Sequence, residues 1–336
     1  MYSSKILRLP LLLCGLLIVS RLTAEPSAPS ETEIPFRADL VYKTVDGVPL
    51  KLDLYHPNNA PGPLPLVIYF HGGGWASGSK ADIHKNYRET LLQALLQRGY
   101  AVASVDYRLN SEYSHFPNPI VDARDSLRWL RRHAADFQLD PGNFGVWGTS
   151  AGAHLAMMVA YAPDSEFAGE SELAGESSAV NFVINNFGPT DLDPLFRPQL
   201  NAPLLWVLKT FMPGKYEKRQ SRLTALTGLD VDRHQRQAAQ ICRQYSPIRY
   251  LQPGRGVPTI SFHGDADQLV SPNQAKQLHK TLEQHDIGHQ LELIPGEGHG
   301  LKTMGNAQIN QLVTQTLAFI ARNRQSPSLN GRGGKE

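Results

Sequence analysis

Six short apolar runs, each separated from the next by a helical or irregular stretch, constrain this chain more than any other feature. They are Leu66–Phe70, Ala101–Val105, Phe144–Trp147, Phe182–Ile184, Thr259–Phe262 and Leu291–Ile294. A strand that is apolar at successive rather than alternate positions has both faces covered. Between the runs, Tyr87–Gln97 carries Leu91, Leu92, Leu95 and Leu96 at helical spacing, and Ile120–His133 carries Val121, Leu127 and Leu130. Ser271-Pro272 opens a helix reaching about Gln284, and Ala307–Ile320 forms the last one. Strands alternating with helices predict an α/β fold: a mostly parallel central sheet, right-handed crossovers and helices on both faces. Ahead of this pattern, residues 40–44 and 50–55 alternate around Asp46-Gly47, which predicts a hairpin with one wet face.

The chain has 336 residues, 41% hydrophobic and 19% charged, enough for one large α/β core or two smaller domains. Its start reads as an export signal. Lys5 and Arg8 precede the apolar block Leu9–Val19, and Leu22-Thr23-Ala24 supplies a small residue for cleavage after Ala24. An uncleaved anchor is the alternative. No stretch approaches the roughly 20 apolar residues of a spanning helix, which argues against an integral channel or transporter. Without residues 1–24 the balance is 30 basic against 31 acidic residues, and nothing suggests nucleic acid. Only Cys242 then remains, so no intrachain disulfide can form. Residues 25–35 read as a linker, 36–324 as the folded domain and 325–336 as a disordered tail. The sequence leaves the oligomeric state open.

One block breaks the alternation. Residues 191–246 hold Pro203-Leu-Leu-Trp-Val-Leu208 and then the charged Lys215, Lys218, Arg219 and Arg222. This reads as a helical cap inserted over the strand ends, with a surface helix pair as the bland alternative.

Ser150 lies in Gly148-Thr-Ser-Ala-Gly152, directly after the run ending at Trp147. A strand ending in such a pentad turns sharply into a helix with a serine hydroxyl at the apex. Side chains at Gly148 or Gly152 would clash where strand, turn and helix cross. The amide of Ala151 then sits at a helix N-terminus, where negative charge is stabilised. That is a nucleophile site for acyl transfer, though the pentad alone is also an ordinary Ser/Gly turn. A base is needed, and His299 in Pro295-Gly-Glu-Gly-His-Gly300 follows a strand, between glycines that allow close approach. An orienting acid should precede it, and His263-Gly-Asp265-Ala-Asp267 offers two. A metal reading of His263, Asp265 and Asp267 has no further ligand cluster to support it. The loop His71-Gly72-Gly73-Gly74-Trp75 supplies bare amides for an oxyanion. A phosphate loop over Gly73–Lys80 is rejected because Ser79 precedes Lys80.

Together these stretches resemble the α/β-hydrolase superfamily, and most closely its exported carboxylesterases of the hormone-sensitive-lipase-like and feruloyl/acetyl-xylan-esterase-like groups. Val105-Asp-Tyr-Arg-Leu109, Phe116-Pro117 with Asp122, Gly188-Pro-Thr-Asp-Leu192 and Ser246-Pro-Ile248 add to the likeness, which spans about residues 36–322. The resemblance implies an α/β-hydrolase fold and a triad of Ser150, Asp267 and His299. Asp267 rather than Asp265 is implied by the stretch Asp267-x-x-Val270. It also implies oxyanion donors at Gly73, Gly74 and Ala151, no cofactor and no metal. Ala153 departs from the pattern, where many relatives carry glycine. The implied substrates are short-chain, acetyl or feruloyl esters of carbohydrate or small alcohols. Alternatives are an amidase, formamidase or peptidase on the same fold, or an inactive binding module. An interfacial lipase would use Leu204-Leu-Trp206 as a lid.

Overall fold

The computed structural model describes residues 35–58, 60–254 and 256–324. The export signal, nearly all of the linker and the tail lie outside the described residues. Strands run β1 Phe36–Val45, β2 Val48–Tyr55, β3 Leu64–Phe70, β4 Ala101–Val105, β5 Leu139–Thr149, β6 Val183–Asn186, β7 Thr259–Gly264 and β8 His289–Ile294. Helices are α1 Tyr87–Gln97, α2 Asn118–Arg132, α3 Ala151–Tyr161, α4 Leu192–Phe196, α5 Ala202–Phe211, α6 Pro213–Thr227, α7 Gln235–Gln244, α8 Asn273–Gln284 and α9 Asn306–Asn323.

The strands form one sheet in the order β1-β2-β4-β3-β5-β6-β7-β8. Only the pairs β1·β2 and β2·β4 are antiparallel. The continuous apolar runs split by alternation between two cores. Leu66, Ile68 and Phe70 of β3 face α2, α3 and α8, while Val67 and Tyr69 face α1 and α9. Helix α3 is apolar all round, and ten of its residues are buried, as such a helix must be.

Two expectations need correction. The hairpin is not wet on one face throughout: the second half of β2 is buried because Leu52 and Leu54 pair with Val105 and Ala103 of β4. The run at Leu291–Ile294 is not covered on both faces. It belongs to β8, the last strand of the sheet, and is only half-buried.

Residues 191–246 lie between β6 and β7 and fold into α4 to α7. Entry and exit are tied together. The Ser246 hydroxyl accepts from the Leu192 amide at 2.9 Å, and the Ile248 amide donates to the Thr190 carbonyl at 3.2 Å. An insertion whose ends meet can be added to a sheet without distorting it. Among the described residues no helix is long and apolar enough to cross a membrane.

Candidate active site

Ser150 stands at the turn from β5 into α3 with φ 52° and ψ −117°. A non-glycine residue at positive φ is strained and persists only where its surroundings hold it. Here its amide donates to the Asn186 carbonyl at 2.9 Å, and the Asn186 side chain accepts from Trp147 Nε1 at 3.1 Å. The crossing is as tight as the pentad predicts. A Cβ on Gly152 would lie 2.0 Å from the Phe70 carbonyl oxygen, and one on Gly148 2.3 Å from the Gly152 carbonyl.

The imidazole of His299 comes from the loop after β8. Its Nε2 lies 2.8 Å from Ser150 Oγ, and its Nδ1 lies 2.7 Å from Asp267 Oδ2. The ring also packs edge-on against Phe187, with centroids 5.0 Å apart. Asp267 has a fully buried side chain. Burial alone pushes its carboxyl up. Hydrogen bonds from His263, His299 and the Val270 amide overcome that and hold it well below the usual carboxylate range. Its Oδ1 accepts from the amides of Leu269 at 2.8 Å and Val270 at 3.0 Å.

The other carboxylate does something different. Asp265 Oδ1 accepts from the Gly296 amide at 2.7 Å and so pins the loop that carries His299. Glu297 in the same loop is buried and accepts from the Thr303 hydroxyl at 2.5 Å. His263 Nε2 donates to the Val270 carbonyl at 2.8 Å and lies 3.3 Å from Asp267 Oδ2. The side chains of the metal reading therefore do not converge, and no group of three or more His, Cys, Asp or Glu among the described residues could hold an ion.

The glycine loop lies across from Ser150. Gly73 has φ +114°, and a Cβ there would meet the Ser77 carbonyl oxygen at 2.0 Å, so only glycine fits. Gly72 packs against Thr149 and Ser150, and Gly74 is open on the cleft side. Within the described residues the amides of Gly73, Gly74 and Ala151 donate to no protein acceptor. His71 is buried, and burial lowers its pKa, so the ring stays neutral. Its Nδ1 donates to the Gly72 carbonyl at 2.8 Å, and it stacks on Tyr107, whose hydroxyl donates to the His71 carbonyl at 2.8 Å. His71 thus shapes the loop from within.

Several supports carry little local signal. Asp265 on the His299 loop and Asn186 under the serine turn each act across a long sequence separation, while Glu297 and Thr303 brace that loop from within. Asp122 is buried and takes a two-pronged bond from Arg108 at 2.7 Å, with Lys43 at 3.1 Å. That anchors the segment whose Asn110 amide donates to the Trp75 carbonyl at 2.7 Å, behind the glycine loop.

Ser150, Ala151, His299 and Gly72–Gly74 line one cleft of about 870 Å³. The inserted block contributes Leu195, Phe196, Arg222 and Leu226 to its wall.

The BD-FAE family model matches residues 52–282. The chain belongs to the BD-FAE family. This BD-FAE chain is 26% identical over 274 residues to esterase LipC of Mycobacterium tuberculosis, covering 80% of this chain and 61% of that protein. It is 30% identical over 203 residues to the non-reducing polyketide synthase trt4 of Aspergillus terreus, covering 55% of this chain and 8% of the synthase. It therefore spans less than two thirds of these curated relatives. A butyrate-bound esterase of Thermogutta terrifontis superposes with a TM-score of 0.65 at 26% identity, covering 89% of this chain and 96% of that one. A truncated carbohydrate esterase from gut microbiota superposes at 0.69 with 19% identity, covering 87% and 99%, a likeness of fold. The fold of this BD-FAE member is that of an α/β-hydrolase.

Proposed function

We propose that this protein is a serine carboxylic-ester hydrolase that works through an acyl-enzyme. The observation that carries the reading is the hydrogen-bonded chain from Ser150 Oγ through His299 to Asp267 on the wall of one cleft. In this mechanism Oγ attacks the ester carbonyl while His299 Nε2 takes its proton. Asp267, held ionised, keeps the other proton on Nδ1 and steadies the imidazolium. The amides of Gly73, Gly74 and Ala151 receive the oxyanion. His299 then protonates the departing alcohol, and water repeats the cycle on the acyl-serine.

The substrate class we propose is a short-chain acyl ester of a carbohydrate or small alcohol. A cleft of about 870 Å³ has room for a sugar- or phenol-sized group beside a short acyl chain. The butyrate held by the Thermogutta relative supports a short acyl group. Ser150→Ala tests the reading. Hydrolysis of p-nitrophenyl acetate should fall by on the order of 10⁶ in turnover. Labelling by a fluorophosphonate should vanish with the melting temperature unchanged. Retained hydrolysis in that variant would sink the assignment. Release of acetyl from acetylated xylan, compared with tributyrin and methyl ferulate, ranks the substrates.

A further inference from the structure

Helix α5 is apolar apart from Lys209 and Thr210, yet none of its residues is buried. Helix α3, equally apolar, is almost wholly covered. Trp206 is 60% exposed and Phe211 68%, and Leu204, Val207 and Met212 are exposed beside them. The rings of Trp206 and Phe211 meet edge-to-face at 5.6 Å, so the patch is continuous. An exposed apolar patch of this kind marks an interaction surface. Its charge setting says which kind. From Arg197 to Arg222 the chain carries six cations and a single acid, Glu217. Lys209 pairs with Asp232 at 2.6 Å, whereas Lys215, Lys218 and Arg222 form no ion pair among the described residues.

We propose that α5 and the adjoining cationic face of α6 dock on a bilayer carrying anionic headgroups. Aromatic and aliphatic side chains enter the interface, and the lysines and arginines meet lipid phosphates and carboxylates. A second copy of this chain fits the patch poorly. A two-fold contact brings the same surface together and would set one cationic cluster against another. The place of the patch gives it a use. A groove of about 340 Å³ runs beside α5, lined by Leu204, Leu208, Lys215 and Lys218 among others. Leu195, Phe196 and Arg222 line both this groove and the cleft at Ser150. Docking therefore sets the cleft beside the lipid surface.

The proposal does not depend on ester hydrolysis and is tested on full-length Ser150→Ala protein. Flotation with vesicles of phosphatidylcholine plus phosphatidylglycerol, compared with phosphatidylcholine alone, reads the partition. We expect at least tenfold stronger binding to the anionic vesicles at low salt, lost in high salt. Trp206→Ser with Phe211→Ser, and separately Lys215→Glu with Lys218→Glu, should each weaken it at least tenfold while leaving the melting temperature unchanged. Lipid should blue-shift the fluorescence, and Trp206→Phe should abolish the shift, since Trp75 and Trp147 are buried and the half-buried Trp129 packs against His133 and Phe137. Failure to float with anionic vesicles overturns the proposal. So does binding that survives both double variants, which would assign attachment to another segment such as Leu9–Val19. So does a dimer in sedimentation equilibrium that the Trp206/Phe211 variant dissolves, which would make a second copy the occupant.

Discussion

Asp265 and Asp267 stand two residues apart after β7, and replacing each by asparagine should have very unequal consequences. In Asp267→Asn the amide nitrogen takes the place of Oδ2, which lies 2.7 Å from His299 Nδ1 and 3.3 Å from His263 Nε2. A donor would then face a donor. The imidazole answers by moving its proton to Nε2, where it can no longer accept the Ser150 proton. Loss of the acid in this way costs about 10⁴ in turnover, or about 5 kcal/mol of barrier. Asp265→Asn keeps Oδ1 as acceptor for the Gly296 amide, so the loop stays pinned and kcat/KM should fall by less than about threefold, under about 0.7 kcal/mol. Asp265→Ala removes that bond, worth about 1.5–3 kcal/mol with a charged acceptor, and should sit between the two, with a loss of at most about 100-fold. The assay is steady-state hydrolysis of p-nitrophenyl acetate, with circular dichroism to confirm folding. A larger loss in Asp265→Asn than in Asp267→Asn would refute the assignment and move the orienting role to Asp265.

Two further outcomes test the frame around the site. Gly152→Ala places a methyl 2.0 Å from the Phe70 carbonyl oxygen, backbone that cannot swing away, and should lower stability by about 3 kcal/mol. An unchanged urea midpoint would show that strand and helix do not cross this closely. His154 is fully buried and donates Nε2 to the Tyr245 carbonyl at 2.7 Å, and burial drives its pKa down to about 4. Its unfolded value is about 6.5, so the stability it lends is complete above pH 6.5 and drains away as pH falls toward 4, by about 3 kcal/mol. His154→Gln keeps a donor for Tyr245 and does not titrate, so its melting temperature should fall less between pH 7 and 4.5. Superimposable curves would show that His154 does not set the acid response.

What local pattern could settle, it settled. Tyr87–Gln97 and Ala101–Val105 were readable because their apolar spacing is enforced by near neighbours along the chain. The serine turn was readable for the same reason, since its glycines, strand and helix lie within a dozen residues. Features that depend on which strands become neighbours stayed hidden. Residues 50–55 read as an alternating strand and Leu291–Ile294 as a continuous apolar one, but β2 lies inside the sheet and β8 at its edge, a difference made by pairing partners distant in sequence. The same holds for the two carboxylates after β7. Their spacing says nothing of which one turns to His299 and which to Gly296.

Helix α5 shows the limit most plainly. Its composition resembles that of a core helix, and only the folded chain leaves it uncovered. A sequence specifies its own backbone preferences and which residues avoid water. Which surfaces meet follows from packing the whole chain at once, so burial, edge position and the partner of each charged group belong to the tertiary structure.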